Sequence, residues 1–236
     1  MMPLSRRSFL GATAAIPLAL HQRLRGVSPI LAHDSPRPSC LLVDARERCV
    51  LQESLTGFAR GLHAVSIPFQ WVSPEAIRPA RLIIIPGAVC DSPAFAETLH
   101  RLIDSGSTLL YESGAAYAGH TAFEAEQRWL RNYLGVSVQA PRELWPAKAE
   151  TGRPPYVHYH WPSRAMIRDF SRVIAVGGSA SDFAPVARIG ATVVACHRTL
   201  GKGAFIFLGS PLGPHVGFGD PEAQRLLECF VSSIAL

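Results

Sequence analysis

The chain has 236 residues, of which 48% are hydrophobic and 17% are charged, and its formal net charge is +5. This length and apolar fraction suit one globular domain with a large core, and they exclude a disordered chain. Residues 1–32 hold four of the 23 basic residues and no acidic one, so the rest of the chain carries 19 basic against 18 acidic residues. Because the body is almost neutral and no basic cluster interleaves with aromatics, no nucleic-acid partner is expected.

The N-terminus has the layout of a bacterial export signal. Paired arginines precede an uncharged run, 9–20, that is shorter than the ~20 residues needed to span a bilayer. The segment Ser5-Arg6-Arg7-Ser8-Phe9-Leu10 resembles a twin-arginine (Tat) signal. The resemblance implies a signal peptide over 1–32, the Tat translocase as a partner during export, and a periplasmic location. Contact with the membrane is then expected only through an uncleaved signal.

After a linker at 33–39, residues 40–236 are predicted to form a single α/β domain in which strands alternate with helices. The predicted strands are 41–44, 65–72, 81–87, 108–111, 172–176, 191–197 and 204–208. The predicted helices are 49–62, one opened by Ser92-Pro93 and closed by Gly106, one from a capping box at Thr121 to Gly135, and one from Asp220-Pro221 onward. Residues 136–170 look irregular or β-like. The alternation predicts βαβ units and a mainly parallel sheet.

The five cysteines are Cys40, Cys49, Cys90, Cys196 and Cys229. No C-x-x-C pair is present, which excludes zinc-ribbon and thioredoxin-like motifs, and the odd number leaves at least one thiol unpaired within a single chain. Three of them, Cys40, Cys90 and Cys196, lie in or beside apolar strand-like runs. There we expect buried thiols that behave as small hydrophobic side chains.

Ligands of open α/β sheets bind at the carboxyl ends of strands, so these ends are the candidate site. Here they carry Asp44, the turn Gly87-Ala88, and the sequence Glu112-Ser113-Gly114. In the last of these an apolar strand turns into small residues, as at a nucleophile elbow, although the full G-x-S-x-G pattern is absent.

The third strand with its Pro-Gly turn, this elbow and the late Gly-Lys-Gly-Ala-Phe-Ile-Phe-Leu-Gly run together resemble class I glutamine amidotransferase-like domains. The likeness is greatest to the divergent branch that includes biotin-protein-ligase N-terminal-like domains, and it covers roughly residues 40–135 and 186–215. It implies a flavodoxin-like three-layer sandwich with a mainly parallel sheet.

The departures from that family decide the expected function. The elbow cysteine is replaced by Glu112, and the late histidine, His215, is displaced and lacks a following acid. We therefore expect a non-catalytic ligand-binding or accessory protein without a cofactor. Its unknown small ligand or protein partner would contact Asp44, Gly87, Ala88 and Gly114. The alternative is a periplasmic hydrolase with Ser113 or Glu112 as nucleophile and His215 as base.

A second alternative is a metal-binding protein, since His158-x-His160 on a strand would place both rings on one face. His197 or His120 would supply a third ligand. Surface or partly packed histidines with aromatic neighbours are the favoured account of the pair. The nearby aromatics either line a pocket wall or cover a sheet edge: Trp145, Tyr156, Tyr159 and Trp161. No nucleotide-binding motif is present, and Gly201-Lys202-Gly203 is predicted to be a turn.

Overall fold

The computed structural model describes residues 39–145, 155–169, 171–177 and 183–235. The predicted signal peptide and most of the predicted linker lie outside these residues. The strands are β1 Cys40–Val43, β2 Gln70–Val72, β3 Leu82–Ala88, β4 Thr108–Ser113, β5 Ser137–Val138, β6 Arg142–Glu143, β7 Tyr156–Tyr159, β8 Ala165–Arg168, β9 Arg172–Val173, β10 Val176–Gly177, β11 Phe183–Ile189, β12 Thr192–Leu200 and β13 Gly203–Leu208. The α-helices are α1 Gln52–Ala64, α2 Pro93–Asp104, α3 His120–Leu134, α4 Gly213–Gly217 and α5 Pro221–Ala235.

The predicted mixed α/β fold is confirmed, with one large sheet in the order β2-β1-β3-β4-β13-β12-β11-β7-β8. The first five strands run parallel to one another. From β13 onward each neighbouring pair is antiparallel. The crossover direction reverses at β1 and β3, which makes their carboxyl ends the topological switch point of the parallel part.

Helices cover both faces of the sheet because its central strands are apolar on both sides. On β4, Leu109 and Tyr111 belong to a core cluster shared with α2 and α3. Leu110 between them belongs to a second cluster, shared with α1 and α5. This alternation is the period of two that a strand imposes on its side chains.

Several helix ends match the sequence signals. Ser92 Oγ accepts from the Phe95 N–H at 3.4 Å and caps α2, and Gly135 ends α3 in the left-handed region with φ +61°. The capping box predicted at Thr121 is wrong. Helix α3 begins one residue earlier, after Gly119, and its first turn has no side-chain cap.

The later strands differ most from prediction. Of the predicted strand 65–72 only β2 forms. The predicted strand 172–176 is instead two short pieces, β9 and β10, which pair with β6 and β5 outside the large sheet. Strand β11 lies outside the predicted strands, and it holds Pro185, a residue that is uncommon inside a strand. The structure accommodates this proline beside an irregularity in the β11–β12 register.

The cysteine prediction is confirmed, since Cys40, Cys90 and Cys196 are buried and all five thiols are free. Burial raises the pKa of the Cys40 and Cys196 thiols to about 12, so these thiols stay protonated and unreactive at neutral pH. None of the helices described here is long and apolar enough to cross a membrane.

Candidate functional site at the strand ends

Glu112 and Ser113 are adjacent residues at the end of β4, but their side chains point to opposite faces of the sheet. Both are buried, with 0% and 2% of their surface exposed. Because successive strand side chains alternate, Glu112 reaches the α4 side and Ser113 reaches the α3 side. The two candidate nucleophiles therefore do not converge on one substrate position.

The Glu112 carboxylate holds the start of α4. Its Oε2 accepts hydrogen bonds from the backbone N–H groups of Leu212 at 2.7 Å and Gly213 at 2.8 Å. Burial raises the pKa of Glu112, and the hydrogen bonds from the Gly213 and Leu212 N–H groups oppose that rise. The carboxylate thus satisfies two N–H groups at a helix start that would otherwise be buried without acceptors.

Ser113 is engaged with a second buried carboxylate, that of Glu126 on α3. The Ser113 hydroxyl donates to Glu126 Oε1 and accepts from the Ala115 N–H at 3.2 Å. Glu126 Oε2 accepts from the Cys90 N–H at 2.8 Å and lies 2.6 Å from the Tyr111 hydroxyl. A serine in this state has its proton committed to Glu126, which also has the Cys90 N–H and the Tyr111 hydroxyl as hydrogen-bond partners.

Glu126 is fully buried and accepts hydrogen bonds from the Tyr111 hydroxyl, the Ser113 hydroxyl and the Cys90 N–H. The Tyr111 hydroxyl lies 2.6 Å from Glu126 Oε2 and 3.0 Å from the Ala88 carbonyl oxygen. Burial raises the pKa of Glu126, and the hydrogen bonds that it accepts from Ser113, Tyr111 and Cys90 oppose that rise.

Sequence reasoning missed Glu126, although α3 carries a signal for it. The buried positions of this helix are Phe123, Glu126, Leu130 and Leu134, at spacings of three and four. An acidic residue inside such a stripe must either lie beside a partner or lose its charge. The apolar period alone would therefore have marked Glu126 as a buried carboxyl group.

The segment of Cys49 and Val50 covers the residues of the two turns at these strand ends, Gly87, Ala88 and Gly114. The Val50 N–H donates to the Gly87 carbonyl at 3.0 Å, and Cys49 forms an isolated bridge with Ala88. A side chain added at Gly114 would collide with the Gly87 carbonyl oxygen and would lie 2.6 Å from Val50 Cγ2. Gly87, Ala88 and Gly114 are buried and packed against this segment, which disfavours direct contact with a ligand.

His215 is half-buried and lies on α4, which packs on the face of the sheet to which the Glu112 side chain points. Within the described part of the chain no hydrogen bond joins it to Glu112 or Ser113. Ser113 points to the opposite face, so a Ser113–His215 pair would have to act across the sheet. This arrangement disfavours the predicted hydrolytic pair.

Asp44, unlike the elbow residues, borders open space. It follows β1 beside the switch point and contributes to a cavity of about 370 Å³, and its side chain is 31% exposed. The other lining residues come from the same loop and from the end of β2: Ala45, Arg46, Glu47, Arg48, Ser73, Pro74 and Glu75. One Asp44 oxygen is shielded from solvent and lies 3.0 Å from Arg46 Nε, though without hydrogen-bond geometry. The site combines carboxylates, guanidinium groups and a hydroxyl.

The histidines proposed as metal ligands are dispersed. In the residues that the structure covers, no group of three His, Cys, Asp or Glu side chains is placed to hold a metal ion. His197 packs against Trp161 with ring centroids 4.8 Å apart, and burial lowers its pKa. His120 pairs with Glu124 at the start of α3, at 3.1 Å. Neither stands beside the His158–His160 pair as a third ligand.

The aromatic residues near the His158–His160 pair divide between the two predicted roles, lining a pocket wall and covering the sheet. Trp161 packs edge-on against Phe230 of α5 and helps to cover the sheet. Tyr159, with 3% of its surface exposed, lines a cavity of about 640 Å³ together with His158 and His160. Trp145 is 60% exposed.

Comparison with known proteins relates the fold to solved structures only. No protein-family model matches the chain, and no curated protein is similar to it in sequence. An exo-β-1,4-mannosidase of Opitutaceae bacterium strain TAV5 matches with a TM-score of 0.58 and 11% identity over 84% of this chain and 36% of its own. A β-galactosidase of Rahnella sp. R3 gives 0.60 and 12%, over 84% of this chain and 31% of its own. A cytoplasmic protein of Salmonella typhimurium LT2 gives 0.53 and 10%, over 83% and 98%.

These matches share the fold, and this chain spans about a third of the length of the two glycosidases. They overturn the predicted family. The assignment to class I glutamine amidotransferase-like proteins is wrong, because the mannosidase and the β-galactosidases that match are glycoside hydrolases. The elbow gives the physical reason, since Glu112 there is a buried helix cap and not an exposed thiolate. The predicted Tat signal lies outside the described residues, and the comparisons give no evidence for a signal peptide.

Proposed function

We propose that this protein is a non-catalytic binding or accessory protein that holds a small polar ligand in the Asp44 cavity. One observation carries the proposal. Of the predicted site residues at the strand ends, Asp44 borders an open polar cavity, whereas the elbow residues are buried and hydrogen-bonded within the protein. The cavity also lies beside the switch point, where open α/β sheets bind their ligands.

The chemistry of the cavity favours a ligand rich in hydroxyl groups. Carboxylates such as Asp44 and Glu75 accept hydrogen bonds from hydroxyls, and the forked guanidinium groups of Arg46 and Arg48 donate to their oxygens. The structural neighbours titled mannosidase and β-galactosidase lend support to a carbohydrate as the ligand class. A role beside a carbohydrate-processing enzyme fits the same evidence.

The test is a titration of ¹⁵N-labelled protein with galactose, mannose and their β-1,4-linked disaccharides. We expect amide shifts confined to residues 44–48 and 73–75, and at least fivefold weaker binding in Asp44→Asn. The matched control is Asp104→Asn, which removes an exposed carboxylate of α2 and should leave binding unchanged. The proposal fails if none of these sugars shifts the cavity amides, or if both variants bind as the unmodified protein does.

Hydrolysis is the second candidate, and the titles of the neighbouring structures favour it. In this alternative Glu112 or Ser113 attacks with His215 as base, after the segment over Gly87 moves away. Glycosidases commonly place two carboxyl groups about 5–9.5 Å apart around the bond to be cleaved. Cleavage of nitrophenyl galactosides or mannosides that disappears in both Glu112→Gln and Ser113→Ala would favour this candidate over the binding protein.

We also infer a flavodoxin-like arrangement for the parallel part of the fold. Its order, β2-β1-β3-β4 followed by β13, matches the 2-1-3-4-5 order of that doubly wound class. The helical layers on both faces agree with it. The four antiparallel strands beyond β13 are an extension that this class does not require.

A further inference from the structure

A second cavity, of about 640 Å³, lies far along the sheet from Asp44, where the β7–β8 hairpin meets α5. Its size is within the range of small-molecule sites, about 300–1,000 Å³. The lining residues are His158, Tyr159, His160, Arg164, Ala165, Met166 and Glu222. Neither the proposed function nor the metal hypothesis uses this combination of side chains.

One part of the lining is apolar. The hairpin register pairs Tyr159 with Ala165, and both are buried, with 3% and 4% of their surface exposed. Met166, paired with His158 one step along, is 52% exposed. Because successive strand residues alternate between faces, Tyr159 and Ala165 belong to the core face of the hairpin, and the Met166 thioether is the apolar side chain exposed to a ligand. It suits an apolar ring or chain, because methionine adapts its shape to what it packs against.

The rim carries an excess of groups that bind anions. Arg164, His158 and His160 have no side-chain hydrogen bond or ion pair with any other residue that the structure describes. The one acidic lining residue, Glu222, is paired with Arg225 at 2.8 Å. The guanidinium of Arg164 is permanently charged, so the rim has an uncompensated positive charge.

The turn that carries these groups is held in place before any ligand arrives. The His160 N–H donates to the Val186 carbonyl at 2.9 Å, and the Arg225 guanidinium donates to the Arg164 carbonyl at 3.0 Å. Between them Trp161 packs against the core. A fixed turn spares the ordering entropy that a mobile one would lose on binding.

We propose that this cavity binds an amphiphilic anion, an apolar ring or chain that carries a carboxylate or phosphate group. The anionic group lies at Arg164, with the two histidines as further hydrogen-bond donors. The apolar body lies against the exposed Met166 side chain. The site is separate from the Asp44 cavity and does not depend on the function proposed there.

The experiment is an amide-shift titration with phenyl phosphate and benzoate, beside inorganic phosphate and phenol. We expect one of the first two to shift residues 158–166 and to bind at least tenfold more tightly than inorganic phosphate or phenol. Whichever binds better identifies the anionic group. The proposal is overturned if phenol binds as tightly as both aromatic anions, or if neither anion shifts this segment.

Variants test the assignment of the two parts. Arg164→Gln should weaken binding at least tenfold, and Met166→Glu, at an exposed position that tolerates a charge, should weaken it through repulsion of the anion. Arg101→Gln on α2 removes an equivalent exposed charge and should change nothing. Unchanged affinity in both Arg164→Gln and Met166→Glu, with the fold verified by their amide spectra, would refute the site.

Discussion

Replacing Glu112 separates its structural role from a catalytic one. In Glu112→Ala the N–H groups of Leu212 and Gly213, 2.7 and 2.8 Å from the carboxylate, lose their acceptor. A buried donor without a partner costs about 1–3 kcal/mol, so the two together cost about 2–6 kcal/mol. In Glu112→Gln the amide oxygen can accept both hydrogen bonds, and we expect stability within about 1 kcal/mol of the unmodified protein.

Urea unfolding followed by far-UV circular dichroism measures this difference. With a denaturant slope of about 2 kcal/mol per molar urea, a loss of 3 kcal/mol lowers the midpoint by roughly 1.5 M. Hydrogen exchange at Leu212 and Gly213 should accelerate in Glu112→Ala and stay slow in Glu112→Gln. The reasoning is refuted if the alanine variant is as stable as the unmodified protein, or if the glutamine variant loses as much as the alanine variant.

Two further predictions concern helix packing and the second buried carboxyl group. Gly57→Ala places a methyl group against the Gly213 carbonyl and should destabilise the protein by about 1–3 kcal/mol in urea unfolding. Gly177→Ala, where the added carbon meets nothing within 4 Å, should cost far less; equal losses would contradict the packing argument. The pKa of Glu126 in the folded protein is raised above its ordinary value of 4.5, so its stabilising contribution is complete below that value and is lost as pH rises through the folded pKa. Urea unfolding as a function of pH should therefore show Glu126→Gln gaining stability over the unmodified protein as pH rises, and a difference independent of pH would contradict the assignment.

Much of the local structure follows from the sequence because its causes are local. Ser92 and Pro93 determine where α2 starts, and Gly135 provides the left-handed conformation that ends α3. The apolar strands around Cys40 and Cys196 predict buried thiols. In the antiparallel half of the sheet, the sequence predicts β12 and β13 but not β11, which holds Pro185, and it leaves the β7–β8 segment only irregular or β-like. The pairing of β11 with β7 depends on partners distant in the chain.

The short motifs gave a wrong family assignment for a related reason. A strand followed by Pro-Gly, or a strand that turns into small residues, is a local frame that many α/β proteins share. Such a frame contains no information on what covers the turn. Here the covering segment is that of Cys49 and Val50, which bonds to Gly87 and Ala88 more than 30 residues away.

The sequence by itself determined the α/β class, the helix ends and the strand ends at which Asp44, Glu112 and Ser113 lie. Only the tertiary structure decided what these residues do. Because strand side chains alternate, Glu112 and Ser113 point to opposite faces of the sheet. Their hydrogen-bond partners come from the start of α4 and from α3, and the sequence pattern does not show that these helices lie beside the end of β4. Asp44 follows the edge-side strand β1 and remains partly open to solvent, whereas the ends of the central strands are covered by the rest of the chain.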